Sequence, residues 1–129
     1  MPQHVLDRMF AALCDGDIER LRACFTSDGR IWHSYDCVTL SADDFVESVK
    51  PIIASGLKLR YDDVRRQQTP TGFVAQYLLV LPAPDGGWTG KPCCLVAELK
   101  DGLIHLAQEY VDRTGVFSAS ALPVATPGI

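Results

Sequence analysis

Apolar residues at the start of the chain recur at helical spacing. Val5, Leu6, Met9, Phe10 and Leu13 fall on one side of a helix, which predicts an amphipathic helix over residues 3–14. Asp15-Gly16-Asp17 interrupts it, and Asp17 is placed to cap a short second helix carrying Ile18, Leu21, Cys24 and Phe25. Ser27-Asp28-Gly29 reads as a turn and residues 30–35 as a strand. Ser41-Ala42-Asp43-Asp44 resembles a capping box, with Asp in place of the usual Glu or Gln at the third helical position. It opens a third helix bearing Phe45, Val49 and Ile52 or Ile53, ending near Ser55-Gly56. Pro51 inside it predicts a kink or an early end.

From residue 57 the period shortens to two. Leu57, Leu59 and Tyr61 alternate with polar neighbours, as in a half-buried strand. Phe73 to Leu81 is a second such run, Asp85-Gly86-Gly87 a hairpin signal, 91–99 another strand, Asp101-Gly102 another hairpin, and Leu103 to Asp112 the last strand. Three helices segregated from a mostly antiparallel sheet make an α+β domain. A strongly curved sheet closed by those helices leaves a cone-shaped interior, suited to an apolar ligand. The domain is expected to span 1–115. Residues 116–129 form a tail, small-residue and Pro-containing, that lies along the domain or covers a partner subunit.

Length and composition fit this picture. At 129 residues the chain makes one domain, and 47% hydrophobic against 22% charged residues is ordinary for a globular protein. A net charge of −4 argues against a nucleic-acid or anionic-membrane partner. Arg60, Arg65 and Arg66 cluster, but Asp62 and Asp63 sit among them, so a solvated mixed-charge face is expected. The five cysteines (14, 24, 37, 93 and 94) are odd in number and lack CxxC spacing, which speaks against a disulfide framework or a zinc site. Buried, reduced and inert thiols follow, Cys37 included, with Cys93 and Cys94 on opposite faces of their strand. Asp7 and Arg8 interrupt the only N-terminal apolar run, so a cytoplasmic protein without a signal peptide or membrane span is expected. Glycine-rich phosphate loops, metal-ligand spacings and nucleophile elbows are missing from the pattern, and no cofactor or metal is expected.

Specific residues then bring a resemblance. Asp17-Ile18-Glu19-Arg20-Leu21 followed by Phe25-Thr26-Ser27-Asp28, the run RIWHSYD before a capped helix, and the ending LKDGLIHLAQEYVD resemble the nuclear-transport-factor-2-like superfamily, in its SnoaL-like polyketide cyclase and ketosteroid isomerase-like branch. The likeness covers about residues 3–115. It implies a conical α+β barrel, often a homodimer paired through its sheet, in a superfamily of isomerases, cyclases, epoxide hydrolases, dehydratases and non-catalytic binding domains. Where many relatives carry an aromatic and an amide on the first strand, this chain has Trp32 and Ser34. The Arg-x-Asp pair of limonene epoxide hydrolase relatives meets Tyr77 and Leu79, and only their third carboxylate has a match, in Asp112. The base of ketosteroid isomerases falls near His33, but their tyrosine on the first helix has no counterpart.

The candidate chemistry is therefore a pair of proton-transfer groups in an apolar cavity. His33, with a reference pKa near neutrality, suits a general acid or base. Strict alternation, however, sets Trp32 and Ser34 on one face and His33 and Tyr35 on the other. With Trp32 facing the ligand, His33 reaches the interior only through a bulge. Asp112 shares a face with Leu106, Gln108 and Tyr110, where desolvation would let it hold a proton. Trp32, Ser34, Tyr35, Tyr77, Gln108 and Tyr110 are the candidate ligand contacts. Tyr77 groups with Phe73 and Ala75 as core, its hydroxyl at the cavity rim. Glu109 and His105 share the other face of the last strand, where a place on the outer sheet surface at a dimer interface competes with a role in the site. The expected function is binding of a hydrophobic small molecule, with cofactor-free isomerisation, cyclisation or dehydration. The alternative is a non-catalytic binding or dimerisation module.

Overall fold

A computed structural model describes residues 3–84, 86–112 and 117–119. The first helix, α1 (Val5–Asp15), begins where the His4 ring nitrogen accepts from the Leu6 N–H at 3.0 Å. Gly16 ends it in the left-handed region, φ 71°, a conformation that glycine adopts without strain. Asp17 caps α2 (Ile18–Ala23), accepting from the Arg20 N–H at 3.1 Å.

The next element departs from the pattern. β1 runs from Phe25 to His33, through the predicted Ser27-Asp28-Gly29 turn. Its register against the last long strand shifts between Phe25 and Arg30. A Cβ on Gly29 would lie 2.9 Å from the Ile104 carbonyl oxygen, so this glycine marks a close approach of two backbones rather than a reversal of the chain. A short strand, β2 (Val38–Ser41), follows a tight turn in which the Asp36 side chain accepts from the Val38 N–H at 3.0 Å.

Ser41 caps α3 (Ala42–Ala54), its hydroxyl accepting from the Asp44 N–H at 3.0 Å. Pro51 does not end α3 early: it lies in the last turn, and the helix runs on to Ala54 with the Ser55 N–H reaching the Pro51 carbonyl. The ring removes the donor that would bond the carbonyl four residues earlier, so the last turn lacks one helical hydrogen bond but is not terminated.

Four long strands complete the order: β3 (Arg60–Gln68), β4 (Gly72–Pro82), β5 (Trp88–Lys100) and β6 (Leu103–Val111). The strands run β2-β1-β6-β5-β4-β3 across a curved, open sheet, antiparallel except for the β1–β6 pair. Register shifts between Asp62 and Arg65 in β3 and between Glu98 and Leu99 in β5 bend it. Phe117–Ala119 forms β7, which pairs with Trp88–Gly90 of β5 beyond the point where β6 stops. The other residues of the tail, and Asp85 of the β4–β5 hairpin, lie outside the described residues.

The helices cover one face of the sheet. Leu6, Met9 and Phe10 of α1, Leu21 of α2 and Phe45, Val46 and Val49 of α3 form a single core with Phe25, Ile31, Phe73, Ala75, Tyr77, Leu95, Ala97, Ile104 and Ala107 of the strands. The arginine-rich strand β3 is only partly a solvated face. Asp62 is 3% exposed and chelated by the Arg60 guanidinium, with two contacts of 2.8 Å. A carboxylate this deep needs such a partner, and Trp88 covers the guanidinium from the other side at 4.9 Å. No helix among the described residues is long and apolar enough to cross a membrane.

Candidate functional site

The curved sheet and the helices border a half-open cavity of about 490 Å³. Apolar side chains from every layer line it: Met9, Phe10 and Leu13 of α1, Phe45, Val49 and Ile52 of α3, and Ile31, Leu79, Leu81, Leu95 and Val111 of the sheet. Its polar groups are few. They are His33, Tyr35, Ser48, Tyr61, Lys91 and Glu109.

Strand parity determines which residues face this cavity. From Arg30 to His33 the pairing of β1 with β6 is continuous, without a bulge. Ile31 and His33 are buried, at 2% and 6% exposure, and both face inward. Trp32 consequently faces outward, where its ring lies 5.1 Å from that of Tyr110. Because β1 and β6 are parallel and in register, the same parity carries across: Ile31 pairs with Ala107, Trp32 with Gln108 and His33 with Glu109. One error of phase in β1 therefore moved both strands. Trp32, Gln108 and Tyr110, expected as ligand contacts, lie on the opposite face, and Glu109, read on the face away from them, lines the cavity. Tyr110 is 48% exposed.

Asp112 follows the end of β6, exposed, its backbone N–H bonded to the Pro92 carbonyl. It lines a separate shallow recess with Ser34, Gln76, Cys94 and Tyr110. The expected convergence of His33 and Asp112 is not what the fold builds, since the two residues line different hollows. Ser34 instead ties the ends of β1 and β6 together, its hydroxyl accepting from the Val111 N–H at 2.9 Å. His105 approaches Thr26 and Asp28 of β1, at 3.3 and 3.5 Å. Cys24 and Cys93 are buried, but Cys14 and Cys37 are exposed. Cys37 sits in the left-handed conformation (φ 58°) in the turn before β2.

The carboxylate that faces the cavity is Glu109, and it is held from two sides. Tyr77, 3% exposed and packed beneath the lining, donates its hydroxyl to Glu109 Oε2 in a short hydrogen bond. Burial first, and then the negative charge of Glu109, push the Tyr77 phenol far above its ordinary range, so it remains a donor. His33 Nε2 stands 3.5 Å from Glu109 Oε1, beyond a good hydrogen bond. Burial lowers the His33 pKa and outweighs the opposing pull of Glu109 and Asp36, so the imidazole is neutral near pH 7. A single carboxylate thus has one oxygen fixed and the other turned toward a neutral imidazole.

Aromatic rings pack around this centre. Phe10 stacks on Tyr61 at 3.8 Å and meets Tyr77 edge-on at 4.9 Å, while Tyr35 stacks on His33 at 4.8 Å. Burial pushes the Tyr61 phenol well up, and it pushes the Cys93 thiol, beside Glu109, to about 12. Both therefore stay protonated. Among the described residues no three His, Cys, Asp or Glu side chains converge as a metal-binding set.

Solved structures of known proteins share this architecture. A Delta 5-3-ketosteroid isomerase from Mycobacterium sp. superposes with a TM-score of 0.70 at 13% identity, covering 89% of this chain and 95% of that one. An NTF2-like protein of unknown function from Burkholderia pseudomallei gives 0.68 at 14% identity, covering 84% and 88%. The fold is the nuclear-transport-factor-2-like fold. An LEH-like epoxide hydrolase of M. tuberculosis gives 0.69 at 15% identity, covering 84% and 80%. No family model and no curated protein matches the sequence. At such identities the likeness concerns the NTF2-like fold, and function has to be argued from the cavity.

Three residues of the centre escaped the reading of the sequence in different ways. Glu109 was visible but read on the face away from the candidate ligand contacts. Tyr61 was read as part of an alternating strand, and Lys91 drew no attention because an isolated lysine at a strand end is ordinary.

Proposed function

We propose that this protein binds a hydrophobic small molecule in the cavity and moves protons on it without a cofactor, as an isomerase, cyclase or dehydratase does. The observation that carries this reading is the Tyr77–Glu109–His33 chain, a held carboxylate and a neutral imidazole in an otherwise apolar enclosure. Glu109 is the general base. Its Oε2 is occupied by Tyr77, so Oε1 takes the substrate proton. His33 is the partner that delivers or accepts the second proton, being neutral at the operating pH. Tyr77 is a positioning residue that fixes the carboxylate, and the Tyr61 hydroxyl, protonated and on the cavity wall, is a donor to developing negative charge on an oxygen. The apolar lining excludes water and strengthens each of these interactions.

The test is deuterium uptake from D₂O by a panel of apolar cyclic ketones, read by mass spectrometry. The wild-type protein is expected to label an acidic C–H position, and Glu109→Gln to lose roughly 100-fold or more of that rate while still binding. Equal exchange by both proteins overturns the assignment of Glu109. Binding without any exchange by the wild type leaves a ligand-binding module.

The assembly we propose is a homodimer paired through the outer sheet face. Trp32, Val96 and Tyr110 are its apolar centre, Val96 being 36% and Tyr110 48% exposed. Free cysteines, two of them exposed, fit a reducing, cytoplasmic setting.

A further inference from the structure

The cavity has a direction, and β5 gives its scale. Along the inward face of that strand, Leu95 and Cys93 are buried and Lys91 is half-buried. Leu95 pairs with Glu109 on β6, whereas Lys91 pairs with Leu79 on β4. Burial falls steadily along this face, from Leu95 at 0% through Cys93 at 6% to the half-buried Lys91. The exposed lining residues are Tyr35, Ile52 and Leu57, at 46%, 44% and 40%, and Tyr35 lies over His33. Lys91 therefore stands at the mouth where β5 loses its burial, and Glu109 against the paired middle of the sheet. Four residues of strand separate their positions, about 13 Å at 3.3 Å per residue.

Lys91 is also the only cation that lines the cavity among the described residues. Arg20, Arg22, Lys50, Arg60, Arg65 and Arg66 each lie within 4 Å of a carboxylate, but Lys91 forms no ion pair among the described residues. An ammonium group on an apolar lining, without an ion-pair partner among the described residues, presents three donors to whatever enters. We infer that the ligand is an apolar, ring-containing molecule with one acidic group, held by Lys91 at the mouth while its far end lies against Glu109 and His33. The spacing asks for a rigid body on the order of 10 Å, about two or three fused rings. This rests on the reading of the cavity as a ligand site, and it orients the ligand: the acidic group is remote from the proton transfer and serves binding and alignment. An acid presented the other way round would set its charge against Glu109, which repels it.

Two fluorescent dyes with nearly the same body separate the inference from the reading on which it rests. Anilinonaphthalene sulfonate carries an acidic group and N-phenylnaphthylamine does not. The full chain is expected to bind both, the sulfonate roughly tenfold more tightly, as one charge-assisted contact at a half-screened site allows. Lys91→Met should abolish that preference and leave the neutral dye unchanged, and Lys91→Glu should reverse it. Leu57→Trp, which enlarges an exposed rim residue, should weaken both dyes if they enter the cavity. Equal binding of the two dyes by the wild type, or an unchanged preference in Lys91→Met, overturns the acidic-ligand inference and leaves the cavity reading standing. Failure of both dyes to bind, or their indifference to Leu57→Trp, overturns both.

Discussion

Glu109 concentrates the electrostatics of the cavity. With the carboxylate 17% exposed, its hydrogen bond from Tyr77 is made in a poorly solvated place, where an unsatisfied lone pair is costly. Tyr77→Phe is expected to lower stability by about 1–3 kcal/mol in urea denaturation. It should also loosen the carboxylate, reducing turnover more than ligand affinity if Tyr77 positions the base. His33 gives a second measurable sign. Burial lowers its pKa below the ordinary value of about 6.5, so the unfolded chain takes up a proton at a higher pH than the native state does. Its contribution to stability is therefore complete above pH 6.5 and is lost as the pH falls through the window below it. His4, lowered by burial and by Arg66, acts in the same direction. His33→Gln should flatten, but not erase, the loss of stability between pH 7 and 5. An identical slope in the variant would refute a buried neutral His33.

At the scale of elements, the sheet is fitted together by close backbone approaches as much as by side chains. A Cβ on Gly72 at the start of β4 would lie 2.0 Å from the Ala97 carbonyl oxygen of β5. Backbone cannot move aside as a side-chain tip can. Gly72→Ala is expected to cost about 1–3 kcal/mol or more, and to lower the thermal midpoint even though alanine suits a strand better than glycine. The helices are held at their starts. Removing the Ser41 hydroxyl, which caps α3, should cost about 1 kcal/mol, measurable in the same denaturation assay. The capped starts of α2 and α3 were legible because a cap is a local arrangement of a few adjacent residues. β2 was not, being four residues long and too short to show a period. The true start of β1 was hidden for a different reason: a glycine that admits a neighbouring backbone and a glycine that turns the chain look the same in a sequence.

For the whole molecule, the two faces of the sheet have separate tasks. The inner face carries the cavity, and the outer face carries Trp32, Val96 and Tyr110 at its surface. If those residues centre a homodimer, Tyr110→Glu should yield monomers in sedimentation at micromolar concentration while dye binding in the cavity persists. A monomeric wild-type protein would refute the dimer. The sequence by itself determined the three helices and the long strands that follow them, the caps of α2 and α3, the α+β class and the inward set of β4, where Phe73, Ala75 and Tyr77 share a face. It also determined that His33 and Trp32 face opposite ways, because alternation is a property of the strand alone. Which of the two faces inward was decided only in the tertiary structure. Both parities of β1 and of β6 offer apolar residues, so neither strand fixes its own phase. The parallel register between them, and the helices packed over one side, chose Ile31, Ala107 and with them His33 and Glu109. A strand records its period in its own sequence, but the face it buries depends on what is packed against it.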